Sequence, residues 1–582
     1  MPSQSAQTYI HELAKTLPPP RKQNTACDAC RSRKVKCNRI PGNDKHCLSK
    51  NYPCTHFVQQ ATAKKRSRGP RPPPRPTDGD LPIQPHRCVY PSISRETPIT
   101  SVLAYIFSPP TSAITLSSPF DDWGVEAHKL VEEGFRKELA LDLVEIYFQI
   151  VHTRFPLLNP DDFRNRFNEH TVSSDPLHPA LVATVIAWGA KFAENTLFVA
   201  DRQRNGGSKS LFAIALVDRA RELAELLKVH RISSPEHVII GLLLEPLQSH
   251  FHRFWLISSV QSLLNLQINH KSVMSGLQGD EHRGIMIFAW WMAVLADGYS
   301  SAYFRKKPML DDDDYDIDFY TAAPISPPDP SDDTQRLASN REHLEVCGYY
   351  RANHALSRIA RQISKLFWKP LIESDGIPLD TLQTVMDLLY EWKGSFLQDV
   401  GVSGGLKGDF IGAISACASD ATYHVMWVIV FDAVDDFGIK EINDITRNHN
   451  HDLGPPQILP SIDDVKMRVF DEALRGASRI AGLRLDPAAM LAPCLHSGFL
   501  LARLGRPEVQ SCVSGLQQYS YAYEEAAEQA SEMARIYNAG GEELGHMAGV
   551  GAHGRLVSLS PSTPVSVMTN SSTNGPSGGA YL

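Results

Sequence analysis

The 582-residue sequence has no apolar run long enough to predict a membrane span. Its longest, at 285–296, covers twelve residues, whereas a spanning helix needs about 20. The first 17 residues lack the apolar core of a secretory signal, and ten cysteines are too few for a disulfide scaffold. We also find no phosphate-binding loop and no dinucleotide fingerprint. These absences argue against membrane, secreted and nucleotide-binding classes.

Charge is distributed unevenly along the chain. Residues 21–76 contain fifteen Lys or Arg and two acidic residues, Asp28 and Asp44, a balance of +13. Because the net charge is −7, the other residues carry −7 − 13 = −20. This asymmetry predicts a basic, nucleic-acid-binding head on an acidic body.

Composition divides the chain into five segments. Residues 1–20 are a predicted flexible leader, and 21–60 hold a cluster of cysteines. Residues 61–124 are rich in Pro, Ser and basic side chains, which predicts an extended linker without a packed core. Residues 125–550 show helical periodicity, and the Ser/Thr/Gly-rich 551–582 are a predicted disordered tail.

The long segment is predicted to be a single, mostly α-helical body. Apolar residues recur every three or four positions from Val131 to Ile150, as on one face of a helix. Asn159 and Pro160 predict a capped helix start, which the acidic Asp161 and Asp162 would stabilise. Further helices are predicted at 211–229, 381–392, 410–431 and 521–537.

Five of the ten cysteines lie within 28 residues of each other, at spacings that predict a metal site. Thiolates are soft ligands that favour zinc, and a Cys-x2-Cys pair offers two sulfurs from one short turn. The surrounding segment is too polar to bury ordinary structural thiols. The predicted ligands are Cys27, Cys30, Cys37, Cys47 and Cys54.

The segments ACDACRSRKVKCNRIPG and HCLSKNYPCTHF resemble the fungal Zn₂Cys₆ binuclear cluster transcription factors. In that family six cysteines hold two zinc ions, and the first and fourth cysteines bridge them. The position of the fourth cysteine falls on Asp44 here, so five thiolates provide six of the eight zinc bonds. Either a bridging Asp44 carboxylate completes the count for two ions, or the second site is lost and one zinc remains. A short deletion or a gene-model error that removed the cysteine is the other explanation for its absence.

The resemblance also implies how DNA is read. In the family a short helix after the second cysteine enters the major groove and reads a CGG triplet. The base-contacting positions correspond to Arg33 and Lys34, and Arg31 and Lys36 would face phosphates. Lysine and arginine donors match the O6 and N7 acceptors of guanine. The prolines after residue 69 exclude the coiled coil of dimeric members, and the basic 64–68 is consistent with nuclear import.

The helical body resembles, more loosely, the family's middle homology region, whose role is regulatory. The likeness lies in FQIVHTRFPLLNPDDFRNRF and in the later signature RGIMIFAWWMAVLADGYSSAYFRKKPMLDDDDYDID. Arg283, Trp290, Lys307 and Pro308 occupy positions of that signature, followed by acidic residues at 311–314. We interpret the acidic run as a solvated loop, because no register of it gives a calcium-binding loop.

Three functions remain open from the sequence. The first is a nuclear, zinc-dependent transcription factor that regulates RNA polymerase II and binds CGG-containing DNA, with an effector or co-regulator on an all-α regulatory domain. The second is a helical regulatory or scaffold protein whose zinc cluster no longer binds DNA. The third is an enzyme, for which Ser403 in the pattern GVSGG is the candidate nucleophile. That pattern needs a preceding strand, and we predict a helix there, so we expect no enzyme.

Overall fold

A computed structural model describes residues 93–547, except for gaps at 110–119, 121–122, 169–174, 208, 248–252, 278–279, 318–340, 342–343, 346–347, 404–409, 449–457 and 484–486. The chain divides into two units, 1–87 and 88–582. All described residues belong to the second unit. The predicted leader, cysteine cluster and tail therefore lie outside the described residues.

The described residues form an array of α-helices. The helices of the first half are α1 Ile99–Ile106, α2 Glu133–Ile146, α3 Pro160–Asn168, α4 Pro179–Lys191, α5 Thr196–Arg204, α6 Leu211–Leu226, α7 Pro235–Leu244, α8 Phe254–Asn265, α9 Lys271–Gly276 and α10 Asp280–Tyr303. Short 3₁₀ helices at Val125–Val131 and Glu245–Leu247 lie between these helices, and a third at Asp312–Asp314 follows α10.

The second half continues in the same way. Its helices are α11 Tyr349–Phe367, α12 Pro370–Asp375, α13 Leu379–Trp392, α14 Phe410–Phe437, α15 Lys440–Asn448, α16 Ile458–Gly482, α17 Pro487–Arg503, α18 Val509–Tyr519 and α19 Glu524–Met547. No strand occurs among the described residues, where Ile377 and Ile439 form an isolated β-bridge. The prediction of an all-α body is confirmed.

Local sequence signals account for several helix boundaries. The backbone N–H of Asp162 donates to Asn159 Oδ1 at 2.9 Å, and Pro160 is the first residue of α3. The cap predicted at Asn159 is therefore present. Helix α14 continues to Phe437, beyond the predicted 431, because its later turn still buries Ala433 and Val434. It ends at Gly438, whose φ of +71° suits glycine.

The helical body begins earlier than predicted. Helix α1 lies within 61–124, which the sequence assigned to an unpacked linker, and it buries Val102, Leu103 and Ile106. Phe107 follows the helix and is also buried, with its ring 6.2 Å from that of Phe212 in α6. The linker prediction is wrong here because no proline occurs between Pro98 and Phe107. The apolar residues there have helical spacing and complete a core.

Helix α14 lies at the centre of the second half. It packs against α11, α16 and α17, and Tyr423 and Trp427 are completely buried on it. By length and composition, α14 and the 281–303 portion of α10 could each cross a membrane. However, 83% and 78% of their apolar windows are buried inside the protein. A helix that is apolar all round is expected in the core of a large helical protein.

Candidate functional site

The sequence-predicted DNA-binding and zinc-binding side chains all precede residue 93 and lie outside the described residues. They are Arg31, Arg33, Lys34 and Lys36 for DNA, and Cys27, Cys30, Cys37, Asp44, Cys47 and Cys54 for zinc. Their assignments remain predictions. Within the part of the chain that the structure describes, no group of three His, Cys, Asp or Glu side chains is arranged to hold a metal ion.

The signature region of the helical body is organised around a buried carboxylate. Asp297 on α10 is completely buried and accepts hydrogen bonds from the backbone N–H groups of Met309 and Leu310, each at 3.0 Å. Arg253, itself buried, pairs with the same carboxylate. It also donates to the carbonyl of Lys307 at 3.1 Å. The Asp297 carboxylate thus holds the segment 307–310 against α10.

The electrostatics of this carboxylate reflect two opposing effects. Burial raises the pKa of Asp297, whereas its backbone hydrogen bonds and Arg253 favour the ionised form. Arg253 also has a φ of +54°, a conformation that is uncommon for a residue with a side chain. Neither residue was predicted from the sequence. The one available signal was an acidic residue, Asp297, in an otherwise apolar stretch.

The acidic run after this turn is exposed at Asp311, Asp313 and Asp314, as a solvated loop would be, but it also makes ion pairs that the sequence did not predict. Asp312 accepts a hydrogen bond from Arg358 at 2.8 Å and pairs with Arg361, and Asp311 pairs with Lys365. All three basic residues lie on α11, at spacings of three and four that place them on one face. These ion pairs were not predicted because the sequence does not reveal that α11 packs beside this segment.

This contact changes the ionisation of the acidic run. Burial opposes ionisation of Asp312, but hydrogen bonds and charge from Arg358 and Arg361 lower its pKa overall. Arg361 is only 2% exposed, so its pairing with Asp312 compensates a charge removed from water. We call the segment 307–316, held by Asp297 at its start and by α11 along its length, the acidic strap.

Aromatic side chains complete the contact between the strap and the body. The hydroxyl of Tyr315 hydrogen-bonds to His354 Nε2 at 2.8 Å. The Tyr315 ring lies 5.8 Å from that of Trp290, which is completely buried. Burial lowers the pKa of His354 to about 4, so the imidazole is neutral at neutral pH. Of the signature residues, Lys307 and Pro308 lie in the acidic strap and Trp290 packs against it, whereas Arg283 lies near the start of α10.

Ser403 does not lie in a nucleophile elbow. The residues before it form a short helix, Gln398–Val400, rather than the strand that such an elbow requires. The backbone N–H of Val402 donates to Asp420 Oδ2 at 2.8 Å, which fastens the turn to α14. This geometry is that of a connecting turn and not that of a nucleophile elbow.

A shallow surface groove lies on the first half of the helical body. Its volume is about 400 Å³, and its lining residues are Trp123, Gly124, Val125, Glu126, Ala200, Gln203 and Arg204. The volume is in the range of small-molecule sites. A second space of about 20 Å³ beside Leu242 and Met292 has room for little more than a water molecule.

Comparison with known families gives two matches. The Fungal Zn(2)-Cys(6) binuclear cluster domain matches residues 25–64, which include the five clustered cysteines and Asp44. The Fungal specific transcription factor domain matches residues 144–393, which include the acidic strap. No curated protein and no solved structure matches the chain. Both resemblances drawn from the sequence are confirmed.

Proposed function

We propose that this chain, whose two domain matches are those of a fungal transcription factor with a Zn(2)-Cys(6) binuclear cluster, regulates transcription by RNA polymerase II from CGG-containing sites in the nucleus. The observation that carries the proposal is the cysteine ladder with RSRKVK between its second and third cysteines. Arg33 and Lys34 would read guanines, and Arg31 and Lys36 would contact phosphates. An enzymatic role has no support from either domain match.

The proposed zinc site consists of Cys27, Cys30, Cys37, Cys47 and Cys54, with Asp44 in the sixth position. Carboxylate oxygen is an acceptable zinc ligand, so a bridging Asp44 gives a two-zinc cluster. Native mass spectrometry of the full chain distinguishes two zinc ions from one. Metal affinity should fall as pH decreases, because the thiols must deprotonate to bind. Five freely alkylated thiols with no bound metal would contradict the site and favour the helical scaffold alternative.

The DNA-reading assignment predicts a loss of specificity rather than of all binding. Arg33→Ala or Lys34→Ala in the full chain should weaken binding to a CGG duplex by about 1–3 kcal/mol, and binding to a scrambled duplex by less. The matched control is Lys64→Ala in the basic linker, which should weaken both duplexes alike and lower the salt slope by about one unit. Equal losses on both duplexes for the Arg33 and Lys34 variants would remove the base-reading assignment.

The missing cysteine provides a further test of the same site. Asp44→Cys restores the family's sixth thiolate. If Asp44 already bridges two zinc ions, this change should leave specific binding nearly unchanged. If the cluster holds one zinc, the variant should gain a second ion and bind CGG-containing DNA more tightly. Zinc content and DNA affinity measured on the same samples must change together, and a change in only one would contradict this account.

The helical body is the proposed receiver of a regulatory signal. Its groove beside Trp123 and Arg204 has a volume that a small effector would fit, and its overall acidic charge disfavours direct DNA binding. The basic residues at 64–68 are the proposed nuclear import signal. Loss of nuclear accumulation when Lys64, Lys65 and Arg66 are replaced by alanine would support that assignment.

A further inference from the structure

Two of the cysteines outside the zinc cluster lie together between neighbouring helices. Cys494 is on α17 and Cys512 is on α18, and their side chains are 7% and 1% exposed. The Cys494 thiol donates a hydrogen bond to the Cys512 carbonyl oxygen at 3.6 Å. The sulfur of Cys494 is thus directed at the residue that carries the second thiol.

The helices that carry these thiols are in close contact. Gly498 is one helical turn after Cys494 on the same face of α17. A Cβ at Gly498 would lie 3.0 Å from Cys512 Cβ and 2.4 Å from Met533 Sδ on α19. The absence of a side chain at Gly498 therefore lets α17 approach α18 closely enough for the two cysteines to interact.

The surroundings of Cys494 favour its protonated thiol and shield it from solvent. A hydrogen bond with the Cys512 side chain, together with burial, raises the pKa of Cys494 well above its usual value. Because the thiolate is the reactive form, alkylation of Cys494 in the folded chain should be slow. A second thiol beside it nevertheless provides an intramolecular partner once either sulfur is oxidised.

We propose that Cys494 and Cys512 are an oxidisable dithiol, which forms an intramolecular disulfide between α17 and α18 when the chain meets hydrogen peroxide. One thiol loses its proton and its sulfur attacks a peroxide oxygen, which breaks the O–O bond and gives a sulfenic acid and water. The second thiol then attacks the sulfenic sulfur, the S–S bond forms, and a second water leaves. In total, two thiols and one hydrogen peroxide give one disulfide and two waters, and two electrons pass to the peroxide. This proposal does not depend on DNA binding or on the zinc count.

Tryptic mapping of the full, zinc-loaded chain tests the proposal directly. Cleavage after Arg484, Arg503 and Arg535 places Cys494 in peptide 485–503 and Cys512 in peptide 504–535, and each peptide has one cysteine. The chain is treated with hydrogen peroxide, unfolded in the presence of an alkylating reagent and digested. We expect the two peptides to appear joined, with a mass two hydrogens below their sum, and to separate after reduction.

Control variants distinguish a specific pair from general oxidation. Cys494→Ser and Cys512→Ser should each abolish the joined species, whereas Cys417→Ser, which removes a buried cysteine on α14, should leave it unchanged. The same treatment of the urea-unfolded chain should give a mixture of linkages in which this pair has no preference. Oxidation of the folded chain should also raise the thermal midpoint, and reduction should reverse the rise.

The contrary result is equally clear. If peroxide-treated, folded chain gives both peptides separately with each cysteine alkylated, the pair is not an oxidisable dithiol. The same conclusion follows if either cysteine is found joined to a zinc-cluster cysteine or recovered as a sulfonic acid. The wild-type digest decides the question even if a serine variant fails to fold.

Discussion

Helix α1 provides a sharp test of where the regulatory body begins. Phe107 is 1% exposed and its ring lies against Phe212 of α6. Truncation of a buried phenylalanine removes its transfer free energy and leaves a cavity, at a cost of about 3–5 kcal/mol. We therefore expect Phe107→Ala to lower the free energy of unfolding of the full chain by that amount.

Exposed Ala104 on the same helix offers the matched control. Ala104→Ser removes no buried surface, so its effect should be within about 0.5 kcal/mol. The assay is urea unfolding followed by far-ultraviolet circular dichroism, which reports the helical body. Brief proteolysis should also cleave 99–106 sooner in Phe107→Ala than in Ala104→Ser, because α1 would open locally before the rest.

Equal stability of the two variants would refute this reasoning. It would mean that 99–107 is the unpacked linker that composition suggested. In that case a fragment starting at residue 125 should be as stable as one starting at 93. If α1 belongs to the core, the shorter fragment should be less stable and prone to aggregate, since it exposes the surface that α1 covers.

Two further predictions concern charge inside the helical body. Asp297→Asn should lower the free energy of unfolding by about 3–5 kcal/mol, because it leaves Arg253 buried without a counter-ion. The control, Asp313→Asn on the exposed side of the strap, should change the free energy of unfolding little. Similar losses in both variants would show that the ion pair is unimportant. Acid should also destabilise the chain, because burial lowers the pKa of four histidines to about 3 or 4 in the folded state. As the pH falls, the histidines of the unfolded chain are protonated first, near pH 6.5. The contribution of each buried histidine to the free energy of unfolding is therefore present above about pH 6.5 and is lost towards pH 4. The loss is about 1.4 kcal/mol per histidine at pH 5.5. Burial raises the pKa of Asp432 to about 6, so protonation of this carboxylate favours the folded state and offsets part of the loss at acid pH. Equal unfolding free energies at pH 7.5 and 5.5 would contradict the neutral, buried state of these residues, which are His152, His178, His354 and His496.

The features that depend on short spacings could be predicted from the amino-acid sequence alone. Ligand spacing in the cysteine cluster and the capping residues Asn159 and Pro160 are set by a few bonds along the chain. The helical pattern of the body is equally local, because the 3.6-residue period is a property of each segment. These features were readable before any packing was known, and the family matches at 25–64 and 144–393 agree with them.

Which charges are buried and which loops are fixed to the body depends on how distant helices pack together. Arg253 and Asp297 are 44 residues apart, and Arg361 and Asp312 are 49 apart, so no local pattern links them. The ion pairs of the acidic strap were not predicted because its partners on α11 are distant in sequence. The segment at α1 was assigned to a linker because its composition was averaged with that of the prolines before it. In each case the deciding interaction is burial against another helix, which depends on how the whole chain packs and not on the residues nearby.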